Sequence, residues 1–199
     1  MTLWLRLALT CLCLLAVCSM ALAQSPEGWD RYLDKYRGPY RGQVIDAETK
    51  APLAGAVVVA AWTRDRIYPF HSVNERYAVR EVLTDSEGRF LIDARDVEAH
   101  APRRTLRPDF TILLPGYGSF PSFQRAPTGF LGDLFEREGT TVELPRLRAR
   151  KERLDSLRAA DPYNLSEDPF KEIPSHTELF NQERRALGLE PYPASGRTR

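Results

Sequence analysis

Asp85 and Glu87 stand two residues apart in Thr84-Asp85-Ser86-Glu87-Gly88-Arg89-Phe90, between two apolar runs. Carboxylates beside a serine and a glycine can hold a cation, exchange protons or close a turn. A calcium loop needs about six or more oxygen ligands at regular spacing, and this stretch offers too few. Two carboxylates that act on a sugar must flank the glycosidic bond, which neighbours on a single turn do not do. A turn asks for less. Asp85 can accept the N–H two residues on, and Gly88 can take the positive φ that closes four residues. The stretch therefore predicts a β-hairpin joining strands Arg80–Thr84 and Arg89–Asp93.

The other groups capable of chemistry are scattered. His71, His100 and His176 lie in separate segments, without i,i+4 spacing and without a neighbouring cysteine. A zinc site needs three or four convergent ligands, so these read as ordinary surface histidines. Gly118-Ser119-Phe120 lies in a loop and is not a Gly-x-Ser-x-Gly elbow. No cofactor, metal or catalytic set is predicted, and the chain reads as a non-enzyme. The segment best suited to recognition is the long connection 115–138, where Tyr117, Phe120, Phe123, Phe130 and Phe135 sit among Gly and Pro. Long loops in compact domains are often functional, and rigid aromatic faces suit proteins, peptides or sugars. Tyr117, Phe120, Phe123 and Phe130 are the candidate partner-binding residues. Two readings of Phe120 and Phe123, spaced around Pro121, stand side by side: exposed rings that contact a partner, or buried rings that pack under the loop.

The elements that must position these residues follow a short leader. Arg6 is the sole charge among the first 26 residues, followed by the apolar run Leu7–Leu15 and by Ala21-Leu22-Ala23. This layout predicts a secretory signal peptide, residues 1–23, cleaved after Ala23, and a periplasmic or secreted mature chain. Retention as an anchor is the alternative, but a spanning helix needs about 20 apolar residues. Cys11, Cys13 and Cys18 all lie in the leader, which leaves the mature chain without disulfides, thiolate ligands or a cysteine nucleophile. Of 28 basic and 27 acidic residues, Arg6 falls in the leader, so 27 of each remain. A net charge of zero offers no overall field to attract nucleic acid.

Residues 24–39 form a polar leader segment. From 40 to 145, short apolar runs alternate with turn signals, the pattern of a β-sandwich. Strands are predicted at Tyr40–Asp46, Ala56–Thr63, Arg80–Thr84, Arg89–Asp93, Phe110–Leu114 and Thr140–Leu144, with 64–79, 94–108 and 115–138 as longer connections. Ala56–Thr63 is apolar on both faces and reads as a central strand. Residues 146–199 form a helical and Pro-rich extension. Its parts are a narrowly amphipathic basic helix, a linker at 161–174, and a helix from a Ser175/Glu178 capping box to Leu187, closed by Gly188 and Leu189.

Two stretches, Gly42–Trp62 and Thr84–Ile92, resemble the carboxypeptidase regulatory-like domain. Gly42, Val44, Asp46, Thr49, Pro52, Leu53, Gly55, Ala56, Val58, Thr84, Asp85, Gly88 and Phe90 fit its pattern. Lys50 stands where the family usually has Gly, so that turn departs from it. Pro115-Gly116-Tyr117 resembles a later element of the family. The resemblance implies a transthyretin-like, immunoglobulin-like β-sandwich of about seven strands. It also implies a non-catalytic module used for binding or spacing in secreted and envelope proteins. A urate-pathway hydrolase shares the transthyretin fold, but its Tyr-Arg-Gly-Ser chain ending has only a displaced fragment here, in Pro39–Gln43.

These readings leave an exported envelope interaction module, with a protein, peptide or carbohydrate as partner. An accessory subunit of an envelope assembly and an unrecognised hydrolase are the alternatives. No transmembrane helix is predicted in the mature chain.

Overall fold

The computed structural model describes residues 38–68, 71–100, 108–123, 135 and 139–193. Six strands occur among them: β1 (Tyr40–Asp46), β2 (Val57–Tyr68), β3 (His71–Leu83), β4 (Arg89–Ile92), β5 (Asp109–Leu113) and β6 (Thr140–Leu144). The helices are α1 (Arg95–Ala99), α2 (Arg150–Ala159), α3 (Pro162–Leu165), α4 (Pro169–Glu172) and α5 (Pro174–Ala186). The described chain is mainly sheet with short helices, and it shows six strands against the seven or so expected.

The strands form two three-stranded sheets, ordered β4-β1-β6 and β3-β2-β5. β1 is antiparallel to β4 and parallel to β6, whereas β2 is antiparallel to both its neighbours. Strand alternation turns Val44, Phe90, Ile92, Val142 and Leu144 of the first sheet toward Val58, Ala60, Trp62, Phe110 and Ile112 of the second. Together they form one buried core. Gly42 belongs to this inner row because a Cβ there would stand 2.8 Å from the Phe90 ring and from the Thr140 carbonyl oxygen.

The opposite face of β2 is also covered. Val57, Val59 and Ala61, with Val79 and Leu113, pack under Leu157, Ala160, Leu165, Ile173, Phe180 and Leu187 of the helical layer. Two covered faces explain why Val57–Trp62 lacks the polar alternation of a half-exposed strand.

Two local predictions are corrected at the Asp85 turn and at the start of α5. The turn itself forms as predicted. Asp85 Oδ1 accepts the N–H groups of Glu87 at 2.9 Å and Arg89 at 2.8 Å, and Gly88 has φ +70°. The flanking strands are not a hairpin, because β3 pairs with β2 while β4 pairs with β1. The Gly88 carbonyl accepts the Val44 N–H at 2.8 Å, so the turn docks on β1 and carries the chain from one sheet to the other.

Helix α5 begins at Pro174, with no cap from Ser175. Instead the Ser175 and His176 N–H groups donate to the two oxygens of Glu81 on β3, each at 2.8 Å. A carboxylate from the neighbouring strand meets the positive end of the helix and replaces the local capping box. The C-terminal end closes as predicted. Gly188 has φ +72°, Leu189 N–H donates to Arg184 at 2.9 Å and Gly188 N–H to Arg185 at 3.0 Å.

The predicted 161–174 linker is packed, with Pro162, Leu165, Ser166, Pro169 and Ile173 buried. The chain after Leu189 is docked as far as residue 193. Tyr192 N–H donates to Asn181 Oδ1 at 2.7 Å and its hydroxyl to Asp161 Oδ2 at 2.8 Å.

Candidate functional site

The aromatic loop serves the interior more than the surface. Phe120 is 1% exposed and meets the Phe135 ring edge-on at 5.5 Å. Its N–H donates to the Ile112 carbonyl at 3.0 Å, which extends the edge of β5 and turns the ring between the sheets. For Phe120 the packing reading holds, which corrects its place among the partner-binding candidates. Phe123 is half-buried, with its Cβ where a side chain on Gly118 would collide. Phe130 lies outside the described residues.

Tyr117 is held in an internal cluster. Its hydroxyl donates to Asp46 Oδ2 at 3.0 Å and accepts from Arg146 Nη2 at 2.6 Å, and the guanidinium sits 5.1 Å from the ring centre. Asp46 Oδ1 also accepts the Glu48 and Thr49 N–H groups. The Thr49 N–H is the main cause that holds the Asp46 carboxyl below its ordinary value, and burial pushes the Tyr117 phenol up. This cluster ties the β1 turn to residues 117 and 146. A second lock lies behind it. Glu183, almost fully buried, accepts two bonds from Arg153 at 2.6 and 2.7 Å and one from the Gly116 N–H at 3.0 Å.

The histidines divide. His100 is exposed, and His71 is exposed at the end of β3. His176 is fully buried, which corrects its reading as a surface residue. It occupies the apolar face of α5 one turn before Phe180, and neither ring nitrogen has a hydrogen-bond partner. Burial lowers its pKa to about 4, so the ring is neutral. Among the described residues, no three His, Cys, Asp or Glu side chains converge as a metal-binding group. No helix among them is long and apolar enough to cross a membrane.

The surface feature that sequence reasoning missed is the outer half of the β2–β3 pair. Within the predicted connection 64–79, residues 64–68 and 71–79 continue both strands as a ribbon that pairs from Thr63↔Arg76 to Tyr68↔His71. A bulge at Trp62/Thr63 marks where it leaves the core. β5 accompanies β2 only as far as Ala61, so among the described residues the ribbon beyond has two strands.

Glu75 holds Arg64 at 2.7 Å and Arg66 at 3.5 Å, and the Arg64 hydrogen bond is the main cause of its lowered carboxyl pKa. Tyr68 stacks on His71 with centroids 4.9 Å apart. Arg76 donates to the Asn164 carbonyl. An open cleft of about 370 Å³ is lined by Arg66, Tyr68, Val73, Arg76 and Glu167, among others. Among the described residues, the exposed large hydrophobics are Tyr68 (41%), Val73 (44%), Leu83 (49%) and Leu91 (56%). All lie on β2, β3 and β4. Arg64-Asp65-Arg66-Ile67-Tyr68 has no apolar–polar alternation, so no periodic signal marks this ribbon in the sequence.

No family model and no curated protein matches the chain. Among solved structures, a 9R-lipoxygenase from Cyanothece is similar over 45% of this chain and 12% of its own, at 19% identity and a TM-score of 0.22. That likeness is too slight to carry any inference about fold or function.

Proposed function

We propose that the chain is an exported, non-catalytic interaction module of the cell envelope, built on a carboxypeptidase regulatory-like, transthyretin-like sandwich. The roles of the motif residues support the kinship. Val44, Leu53, Ala56, Val58 and Phe90 are buried, and Gly55 and Gly88 have positive φ. The Thr84 hydroxyl donates to the Leu53 carbonyl at 2.6 Å and accepts the Ala56 N–H at 2.9 Å. Lys50, where the family has glycine, adopts φ +60°, the conformation glycine takes most easily. The leader layout supports export.

One observation carries the interaction reading. The motif residues are spent on scaffolding, while two of the four exposed large apolar side chains among the described residues, Tyr68 and Val73, stand close together on the ribbon; Leu83 lies at the far end of β3 and Leu91 on β4. Surfaces of that kind mark interaction sites. The helical extension covers the second sheet of its own chain, which leaves the ribbon as the better candidate for contact with another molecule.

The test is capture from envelope extract by the mature chain and by a Tyr68→Ser/Val73→Ser variant. The variant is expected to melt like wild type and to lose the specific partner. Equal capture by both proteins would remove the ribbon from the interaction. Wild type that captures nothing specific would sink the module reading itself.

A further inference from the structure

Strand β3 ends the second sheet, with β2 on one side only. Between residues 71 and 78, its backbone makes no hydrogen bond except to β2 among the described residues. Every second residue of such a strand turns its N–H and C=O away from the neighbour it already has. The ribbon portion, residues 71–76, therefore presents an open row about 20 Å long, at roughly 3.3 Å per residue. That is the length of an ordinary strand, and a ribbon of two strands is marginal in water until a third joins it.

We infer that the outer edge of β3 over residues 71–76 receives an extended acidic–apolar peptide segment of a partner protein, added as a further strand. The inference rests on the interaction-module reading and names the chemistry of the partner. Main-chain bonds to a sheet edge give affinity, and side chains at alternate positions give selectivity.

Those side chains are unequal on the two faces. On one face Val73 is exposed, beside Arg66 on β2 and next to the Tyr68–His71 stack. A residue opposite Val73 gains most if it is apolar. On the other face Arg76 has a neutral carbonyl as its partner and no carboxylate within ion-pair reach among the described residues, although Glu167 lines the same cleft. A residue opposite Arg76 gains most if it is acidic. The two positions are three residues apart, so they fall on opposite faces of the incoming strand. A simple alternation of apolar and acidic residues satisfies both.

Charge also argues against a second copy of this chain as the occupant. Arg80 pairs with Asp96 at 2.6 Å, which leaves Arg64, Arg66 and Arg76 against Asp65 and Glu75 on the ribbon, an excess of one positive charge. Two such ribbons brought edge to edge would repel, as charged edges commonly do.

The experiment uses the mature full-length chain and a synthetic nine-residue peptide alternating Glu and Val. A peptide alternating Lys and Val is the control. Amide hydrogen exchange and fluorescence anisotropy are read on wild type and on Val73→Asp. The Glu–Val peptide is expected to bind wild type and to slow exchange at outward-facing amides of residues 71–76 at least tenfold. The Lys–Val peptide is expected to bind at least tenfold more weakly. Val73→Asp is expected to keep the wild-type melting temperature, since Val73 is 44% exposed, and to lose the peptide at least tenfold, because it removes the apolar contact and adds a like charge.

Three results would overturn the proposal. One is unchanged exchange at millimolar Glu–Val peptide. Another is equal binding by Val73→Asp. The third is protection of the same amides by raised protein concentration alone, which would make a second copy the occupant. If the peptide fails while Tyr68→Ser/Val73→Ser still loses its envelope partner, strand addition is refuted and the interaction-module reading stands.

Discussion

The inner and outer halves of the β2–β3 pair are built under opposite constraints. From Val57 to Trp62, β2 is apolar throughout because one face meets the first sheet and the other meets the helical layer. Beyond the bulge at Trp62/Thr63, the same strands carry charges and exposed rings, held by the Arg64–Glu75 pair and the Tyr68–His71 stack. Burying one large apolar side chain contributes about 1.5–3 kcal/mol. A cross-strand surface pair contributes about 0.2–1 kcal/mol. Substitution in the inner half therefore threatens the fold, whereas the outer half can change its side chains at little cost in stability. That freedom is what a recognition element needs.

The comparison breaks first at the cover of the inner half. Phe180 is 2% exposed and packs over Val57, Val59 and Ala61. Phe180→Ala is expected to lose about 3–5 kcal/mol in urea unfolding, because it opens a cavity over the strand. A loss below 1 kcal/mol would mean that the helical layer is not part of the folded unit. Next comes the corner between the sheets. Gly88→Val places a Cβ against the Val44 carbonyl in a residue with φ +70°, and about 3 kcal/mol of destabilisation is expected. An unchanged urea midpoint would show that the corner does not pack on β1.

Acid should act on the same cover. The His176 pKa is about 4 in the folded protein against an ordinary 6.5, so the unfolded chain takes up the proton first. This contribution is undiminished above about pH 6.5, falls as the pH drops toward 4, and levels off below that. The loss is about 2 kcal/mol at pH 5. Urea melts of His176→Leu across that window should lack this slope, and a slope equal to wild type would place the titration elsewhere. The smallest effect belongs to the outer half. Tyr68→Ala is expected to change stability by less than about 0.5 kcal/mol, and a larger loss would make the ribbon part of the foundation.

Legibility in the sequence followed the same divide. Val57–Trp62 announced a central strand because burial on both faces leaves a continuous apolar run. Asp85 and Gly88 announced a turn because their chemistry is local. What the turn joined was not legible, since the partners of β3 and β4 are set by packing between sheets. Glu81 could not be recognised as the cap of α5, because it lies 94 positions before Ser175. The ribbon was missed because its strands bury little and carry polar residues on both faces. The burial of Phe120 was not legible because a ring beside a proline in a Gly-rich segment looks the same in sequence whether it faces solvent or turns inward to Phe135. His176 likewise sits among polar neighbours in the sequence, and only the helix period places it beside Phe180 on the covered side.

The parallel pairing of β1 with β6 has a consequence for how the chain acquires its structure. Gly42 aligns with Thr140, 98 positions later, while the β4 partners on the other flank arrive after about half that distance. Pairings so far apart carry a loop-closure penalty before they give any return, and they slow folding. As the polypeptide is synthesised, β1 can pair with β4 well before its second neighbour exists. One side of the first sheet stays open until Thr140–Leu144 has emerged. The early strand is thus the one that waits longest, and a nascent chain stalled short of residue 140 exposes an unfinished edge to aggregation or to a chaperone.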